Sequence, residues 1–365
     1  MQIQRIKLWL VNVPERPNWW SDEVYGKPAH RSIDRCIIEV ETESGLKGLT
    51  ELNQGLSSDD VIVTELSDWL GENVLDYNLR LPRERLAGPF EQAVLDLRGQ
   101  MSGLPIWQLL GGRLREWIPC TQCTGYKTVE NTANDAEWGW ARGFRSYKMK
   151  CITEAENTTE ARIDYVVDRV EAIHRSLPDM VVRPDIRWRL GEVWAVQEVA
   201  NRLQGHKLDC LESPITKEAY GGSFSEWRRL RESIPIPIAD HVSSSSDLIR
   251  RFTSHSLDYA IVGASTAMET LDRSRLADDL GLGGWSQTVA YGPGAAMGLH
   301  LAACMPNLTQ PYDMVGPMAW QNDLTVESFE FENGCFRVPD RPGLGFTLNH
   351  DAVSSYTIEK KVFQL

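Results

Sequence analysis

The chain has 365 residues, 42% hydrophobic and 24% charged, with a formal net charge of −13 and a pI near 5.1. That length exceeds one ordinary core and suits a barrel of roughly 250 residues plus a smaller domain. The acidic balance argues against nucleic-acid and membrane-surface partners, and no run of about 18 apolar residues is available to span a bilayer. The seven cysteines lack a framework spacing and are expected as reduced thiols of a cytoplasmic protein. Cys120 and Cys123 form one C-x-x-C without the second pair a zinc site wants, so they are read as ordinary thiols.

The N-terminus reads as a strand, with Ile6, Leu8 and Leu10 at every second position, and lacks the apolar core and cleavage site of a signal peptide. RCIIEVETESGLKGLTE predicts a hairpin turning at Ser44-Gly45. The loop before it, residues 13–32, is rich in Pro, Trp and charge, as lids and binding loops often are. Residues 59–112 read as helices that break at Gly103-Leu104-Pro105 and stop at Gly111-Gly112. From about 118 to 315 short apolar runs alternate with helical stretches: strands at 144–150, 180–185, 207–212, 234–240, 257–262 and 285–289, each followed by a helix. Repeated strand–helix units predict a parallel sheet, most simply a closed barrel. Residues 322–365 return to strand and turn residues and are expected to fold back onto the N-terminal part.

Active sites of parallel barrels lie at the C-terminal ends of the strands. Those ends carry Lys148 and Lys150, then Asp185, then Glu212, then Asp240-His241, each about one strand–helix unit after the last. Three carboxylates at one mouth repel one another unless a cation joins them, and all-oxygen ligation favours Mg²⁺. The competing reading, helix caps and salt bridges, fits one such residue better than three in series. Lys148 and Lys150 lie two apart and point the same way. Beside a dication a lysine's ammonium is disfavoured, which makes it a useful base for a proton alpha to a carboxylate.

These residues resemble the enolase superfamily, in its mandelate racemase/muconate lactonizing enzyme branch. The resemblance runs through LDLRGQMSGLPIWQLLGG, GFRSYKMKC, CLESPI, LHLAACMPNL and RPGLGF. It implies an α/β architecture: a modified (β/α) barrel at 116–321, an α+β capping domain at 1–115, and a C-terminal segment at 322–365 that returns to the cap. It implies Asp185 and Glu212 as Mg²⁺ ligands, Lys150 as base and Lys148 against the substrate carboxylate. Asp240 is the first choice for the third ligand and His241 the second. Specificity loops are expected at 13–32 and near Glu51-Leu52-Asn53-Gln54. Arg187 stands where the family commonly has Asn, and is expected as a fixed cation near the metal or the substrate. The positions of a second base fall near Gly263 and at Gln287, and a family glutamate falls near Tyr312 or Asp313.

No opposite-face base is visible, so a one-base reaction is expected. An acid-sugar (aldonate or aldarate) dehydratase fits, with His241, Tyr312 or Asp313 supplying a proton to the leaving hydroxyl. The alternatives are a racemase, epimerase or cycloisomerase of a small carboxylic acid, or a catalytically degenerate binder of metal or acid. Trp19 and Trp20 either cover the substrate or pack on the rim. Asn53 reaches the substrate or forms a turn. His30 is read as a surface histidine, and Trp188 as packing near the pocket mouth. The expected partners are a small carboxylic-acid substrate and further copies of the chain.

Overall fold

The structure, a computed structural model, describes residues 1–16, 19, 34–52, 59–81 and 86–365, with the backbone only for 59–61. Strand β1 (Ile3–Val11) pairs antiparallel with β2 (Arg35–Thr42), and β2 with β3 (Lys47–Leu52). The β2–β3 hairpin turns where predicted, with Gly45 at φ 82°, a value glycine adopts without steric cost. Period-two alternation places Ile6 and Leu8, and Ile38 and Val40, on one buried face, which Ile3 joins across a register shift before Arg5. That face packs against helix α1 (Asp59–Asp68) and helix α2 (Ala87–Ser102). Helix α2 ends at Gly103 in the left-handed conformation, and α3 (Ile106–Leu109) starts after Pro105.

Strand β4 (Trp117–Pro119) leads into the strand–helix repeat. The repeat comprises β5 (Gln122–Thr124), α4 (Val129–Trp140), β6 (Ser146–Lys150), α5 (Thr159–Ser176), β7 (Val181–Asp185), α6 (Val193–Arg202), β8 (Leu211–Glu212) and α7 (Phe224–Ser233). It continues through β9 (Ile238–His241), α8 (Ser245–Thr253), β10 (Tyr259–Ile261), α9 (Ala267–Asp279), β11 (Gly284–Trp285), β12 (Gln287–Val289), α10 (Gly292–Cys304) and β13 (Asp313–Val315). Strands β5 to β11 form one parallel sheet in sequence order, and β12 pairs with β13 in parallel. A bridge between Cys120 and Tyr312 returns β13 to the first strand, so the strands come round to their start. Ser or Thr side chains cap α4, α5, α7, α8 and α9, and α4 is a helix that the sequence reading did not place.

Strands are shorter than the apolar runs that mark them. Pro235 and Pro237 have no N–H to give a ladder, so the 234–240 run becomes a strand only from Ile238. The 207–212 run keeps two residues in strand β8, with Leu208 bridged separately to Val182 of β7.

Strands β14 (Phe331–Glu332) and β15 (Cys335–Arg337) extend β4 into a small antiparallel sheet. After α11 (His350–Tyr356), strand β16 (Thr357–Gln364) pairs antiparallel with β1. Asp96 of α2 accepts from the N–H groups of Leu49 and Leu344, both at 2.8 Å, tying the cap sheet, its helix and the RPGLGF turn to one carboxylate. All seven cysteines are free thiols, Cys120 and Cys123 included. Among the described residues no helix is long and apolar enough to cross a membrane.

Candidate active site

Residues paired in register on parallel strands face the same side. The register runs Lys150↔Asp185, Asp185↔Glu212 and Glu212↔Ala239. Lys148, Lys150, Arg183, Asp185 and Glu212 therefore share the inner face. On β9 the inner positions are Ala239 and His241, and Asp240 falls on the outer face. Its contacts agree. The Asp240 carboxylate accepts from Ser213 Oγ at 2.8 Å and Trp188 Nε1 at 3.2 Å, and lies 3.2 Å from Arg251 Nη2 of α8. The expectation of Asp240 as third ligand is corrected on this ground: adjacent strand residues cannot face one centre. The inward residue is His241, whose Nε2 lies 3.5 Å from Glu212 Oε1.

Lys148 is fully buried. Its Nζ donates to Glu212 Oε1 and Asp313 Oδ2, both at 2.7 Å, and stands 3.4 Å from Asp185 Oδ2. Burial alone would lower its pKa, but Asp313, Glu212 and Asp185 outweigh burial and raise it well above the ordinary value. As it stands, Lys148 is a fixed cation beneath the mouth. It is not poised as a base, and no surface of it is open to a substrate. Lys150, by contrast, is partly exposed and donates to Asp185 Oδ2. Burial pushes the Asp185 carboxyl up, yet Lys150 and Lys148 together hold it well below the usual range.

Asp313 accepts from Lys148, from Arg183 Nη1 at 2.8 Å and from Trp285 Nε1 at 3.1 Å. Burial raises its pKa, but Lys148 and Arg183 outweigh that and leave it depressed. A carboxylate held ionised by two cations is a poor proton donor, which corrects its expected role as the acid. Tyr312, the residue just before β13, points the opposite way. Its hydroxyl lies 2.7 Å from Thr288 Oγ1, and its ring lines a cavity of about 340 Å³ between the barrel strands, α10 and the cap. Burial pushes its pKa to about 12 against the hydrogen bonds of Thr288 and Ser286. Tyr312 is thereby removed from the inner site.

Gln287 pairs in register with Asp313 and is exposed. Gly263 faces Ser286 Oγ, so no base comes from either position. Trp19 is buried with its ring edge-on to Trp138 of α4, 5.4 Å between centroids, which is rim packing. Trp20, His30 and Asn53 lie outside the described residues. Glu51 is a buried strand residue rather than a loop contact: it pairs with Arg35 at 3.0 Å and accepts from Tyr291 and Gly294 N–H. Arg187 reaches Tyr126 Oη from Nη1 at 2.9 Å. Trp188 packs on His241 and Tyr220, near the mouth as expected.

Four residues of this network escaped the sequence reading. Arg183 had a signal, since it lies two before Asp185 on one strand and so shares its face. Tyr126, Ser213 and Arg251 had none, because loop and helix positions are aimed by tertiary contacts.

Among the described residues no three His, Cys, Asp or Glu side chains already encircle a cation. Donor chemistry for one is nonetheless present at Asp185 and Glu212. Lys148 Nζ lies 2.7 Å from both Glu212 oxygens but meets only Oε1 in hydrogen-bonding geometry, leaving buried Oε2 without a partner. Two carboxylates suit Mg²⁺, which commonly keeps waters and substrate oxygens as its other ligands.

The profile of the Enolase C-terminal domain-like family matches residues 131–352. The chain belongs to the enolase superfamily, in its mandelate racemase/muconate lactonizing enzyme branch. It is 22% identical to N-succinyl-L-Arg/Lys racemase of Bacillus cereus over 98% of each chain. The crystal structure of that racemase superposes with a TM-score of 0.85 at 18% identity, covering 100% of both chains. Chloromuconate cycloisomerase of Delftia acidovorans is 25% identical over 98% of this chain and 99% of its own. D-xylonate dehydratase of Haloferax volcanii is 24% identical over 88% of this chain and 85% of its own. These relatives are a racemase, a cycloisomerase and a dehydratase, and the chain shares the racemase's fold.

Proposed function

We propose that the chain is a metal-dependent lyase that removes the proton alpha to a carboxylate, acting as an acid-sugar dehydratase with Lys150 as base. The observation that carries this reading is an arc on four successive strands: Lys150, Asp185, Glu212 and His241, all on the inner face. A divalent cation held by Asp185 and Glu212 would supply the positive charge that favours an enediolate. Lys150, neutral when it acts, takes the alpha proton. His241 stands at the other end of the arc, its Nε2 3.5 Å from Glu212 Oε1. It gives its proton to the beta hydroxyl, which leaves as water, and the enol formed becomes a 2-keto-3-deoxy acid. The lack of a base at Gly263 and Gln287 supports a one-base reaction over racemisation. The division into a cap (1–115), barrel (116–321) and returning segment (322–365) belongs to this proposal, and the β16–β1 pairing supports it.

The test is incubation with Mg²⁺ and a set of aldonates and aldarates, assayed for 2-keto-3-deoxy products and for alpha-hydrogen exchange in D₂O. The expected result is product formation, with Lys150→Ala losing both signals and His241→Asn keeping exchange while losing dehydration. Exchange from both alpha epimers without product would instead favour an epimerase.

A further inference from the structure

Arg187 is a charged residue of this mouth that the proposed reaction leaves without a task. It lies two residues beyond Asp185, and it and Trp188 adopt φ values of 56° and 63°. Left-handed backbone at two successive non-glycine residues is strained and persists only where the surroundings impose it. Here they do. The Trp188 N–H donates to the Ser213 carbonyl at 2.6 Å, and the Trp188 ring and Ser213 hydroxyl both donate to Asp240. Asp240 thus braces the turn that aims Arg187.

The turn sends the Arg187 side chain from the end of β7 to Tyr126, beyond the end of β5. The strand between them is β6, which carries Lys150. Lys148, Lys150 and Arg183 each meet a carboxylate. Arg187 has the Tyr126 hydroxyl and no ion pair among the described residues. A guanidinium is permanently charged and presents a planar fork that matches a carboxylate in two hydrogen bonds.

We infer that Arg187 receives a second acid group of the substrate, so that the substrate class is a dicarboxylic acid. The inference rests on the reading above, in which the first carboxylate lies against the Asp185–Glu212 cation beside Lys150. Arg187 reaches away from that cation to Tyr126, so a second carboxylate on the substrate would give this fixed charge a partner of its own.

The experiment is calorimetric binding to the full chain in the Lys150→Ala background with Mg²⁺, so that no turnover is needed. The probes are four- to six-carbon hydroxy-acid pairs that differ only in whether the far end is a hydroxymethyl group or a carboxylate, gluconate and glucarate among them. The dicarboxylate of the favoured pair is expected to bind at least about tenfold tighter, as a charge-assisted double hydrogen bond implies. Arg187→Asn, whose side chain tolerates the left-handed turn, should abolish that advantage and leave monoacid affinity unchanged, and Arg187→Lys should keep part of it. Equal affinities across all pairs would overturn the inference. So would an Arg187→Asn variant that weakens both members of a pair alike, since Arg187 would then serve the first carboxylate or the turn. Failure of the dehydration assay alone would defeat the proposed reaction and leave this binding difference standing.

Discussion

Two sets of buried carboxylates occupy this molecule, and they are handled in opposite ways. At the barrel mouth Asp185 and Asp313 face lysine and arginine, and both are held below the ordinary carboxylate range. At the seam between cap and barrel, Glu91 faces backbone N–H groups alone, and Glu51 has a single cation, Arg35, beside its backbone N–H partners. Glu51 accepts from Tyr291 and Gly294 at the start of α10, and Glu91 from Ala267 and Met268 at the start of α9. Burial wins there: Glu51 is raised, and Glu91 rises from 4.5 to about 7. Asp96 within the cap follows the seam pattern at about 6. Burial is common to all of them, and the sign follows the number of cations: two at Asp185 and at Asp313, one at Glu51, none at Glu91 or Asp96. Two cations together outweigh burial and keep a carboxylate ionised and available to a metal, whereas Arg35 alone does not at Glu51. Helix-terminal amides satisfy its oxygens and make it a clamp between domains.

The largest effect that would sharpen this contrast is catalytic. Lys150→Ala should lower alpha-hydrogen exchange by about 10²- to 10⁴-fold, as loss of a positioned base does, with an unchanged circular-dichroism spectrum. An undiminished rate would remove Lys150 from the mechanism. Next comes Lys148→Met, which deprives Glu212 and Asp313 of their shared ammonium. Breaking a buried pair from one side costs about 3–5 kcal/mol, so urea denaturation should show a large drop. A loss under about 1 kcal/mol would mean that the mouth is less dependent on this cation than a buried ion pair implies.

How much of this contrast was legible beforehand follows from chain geometry. Strand ends recur at regular spacing, so Lys150, Asp185 and Glu212 could be placed at one mouth from their positions alone. The side that Asp240 faces could not, because a two-residue alternation turns on a register that one slipped residue inverts. Tyr312 and Asp313 were inseparable for the same reason, and the structure sends one outward and the other inward. The seam was invisible. Glu51 and Glu91 sit in ordinary strand and helix contexts, and nothing local says that the N-termini of α10 and α9, about 175 to 240 positions later, will meet them. Arg187 stood out as an unusual residue, but its aim depends on Ser213 and Asp240, which only the fold brings together.

A smaller effect belongs to Asp96→Asn. The amide retains one acceptor oxygen where the carboxylate serves both Leu49 and Leu344, so one buried N–H loses its partner. The expected cost is about 1–3 kcal/mol, read as a shift in the urea midpoint. An unshifted midpoint would show that the RPGLGF turn does not depend on this carboxylate.

The smallest effect tests the seam most directly. Burial is the largest influence on Glu91, the Ala267 and Met268 amides oppose it, and Glu269 adds repulsion, giving a folded value of about 7 against an ordinary 4.5. Between those values the folded chain holds a proton on Glu91 that the unfolded chain has released. The Glu91 contribution to stability is therefore full below about 4.5, declines as pH rises through about 7, and is flat above. Asp96 contributes a slope of the same sign, so the informative quantity is the difference between parent and Glu91→Gln denaturation curves across this window. That difference should change with pH up to about 7 and then level off. A difference that stays constant would mean that Glu91 remains ionised at the seam, and would place it with the mouth carboxylates in kind.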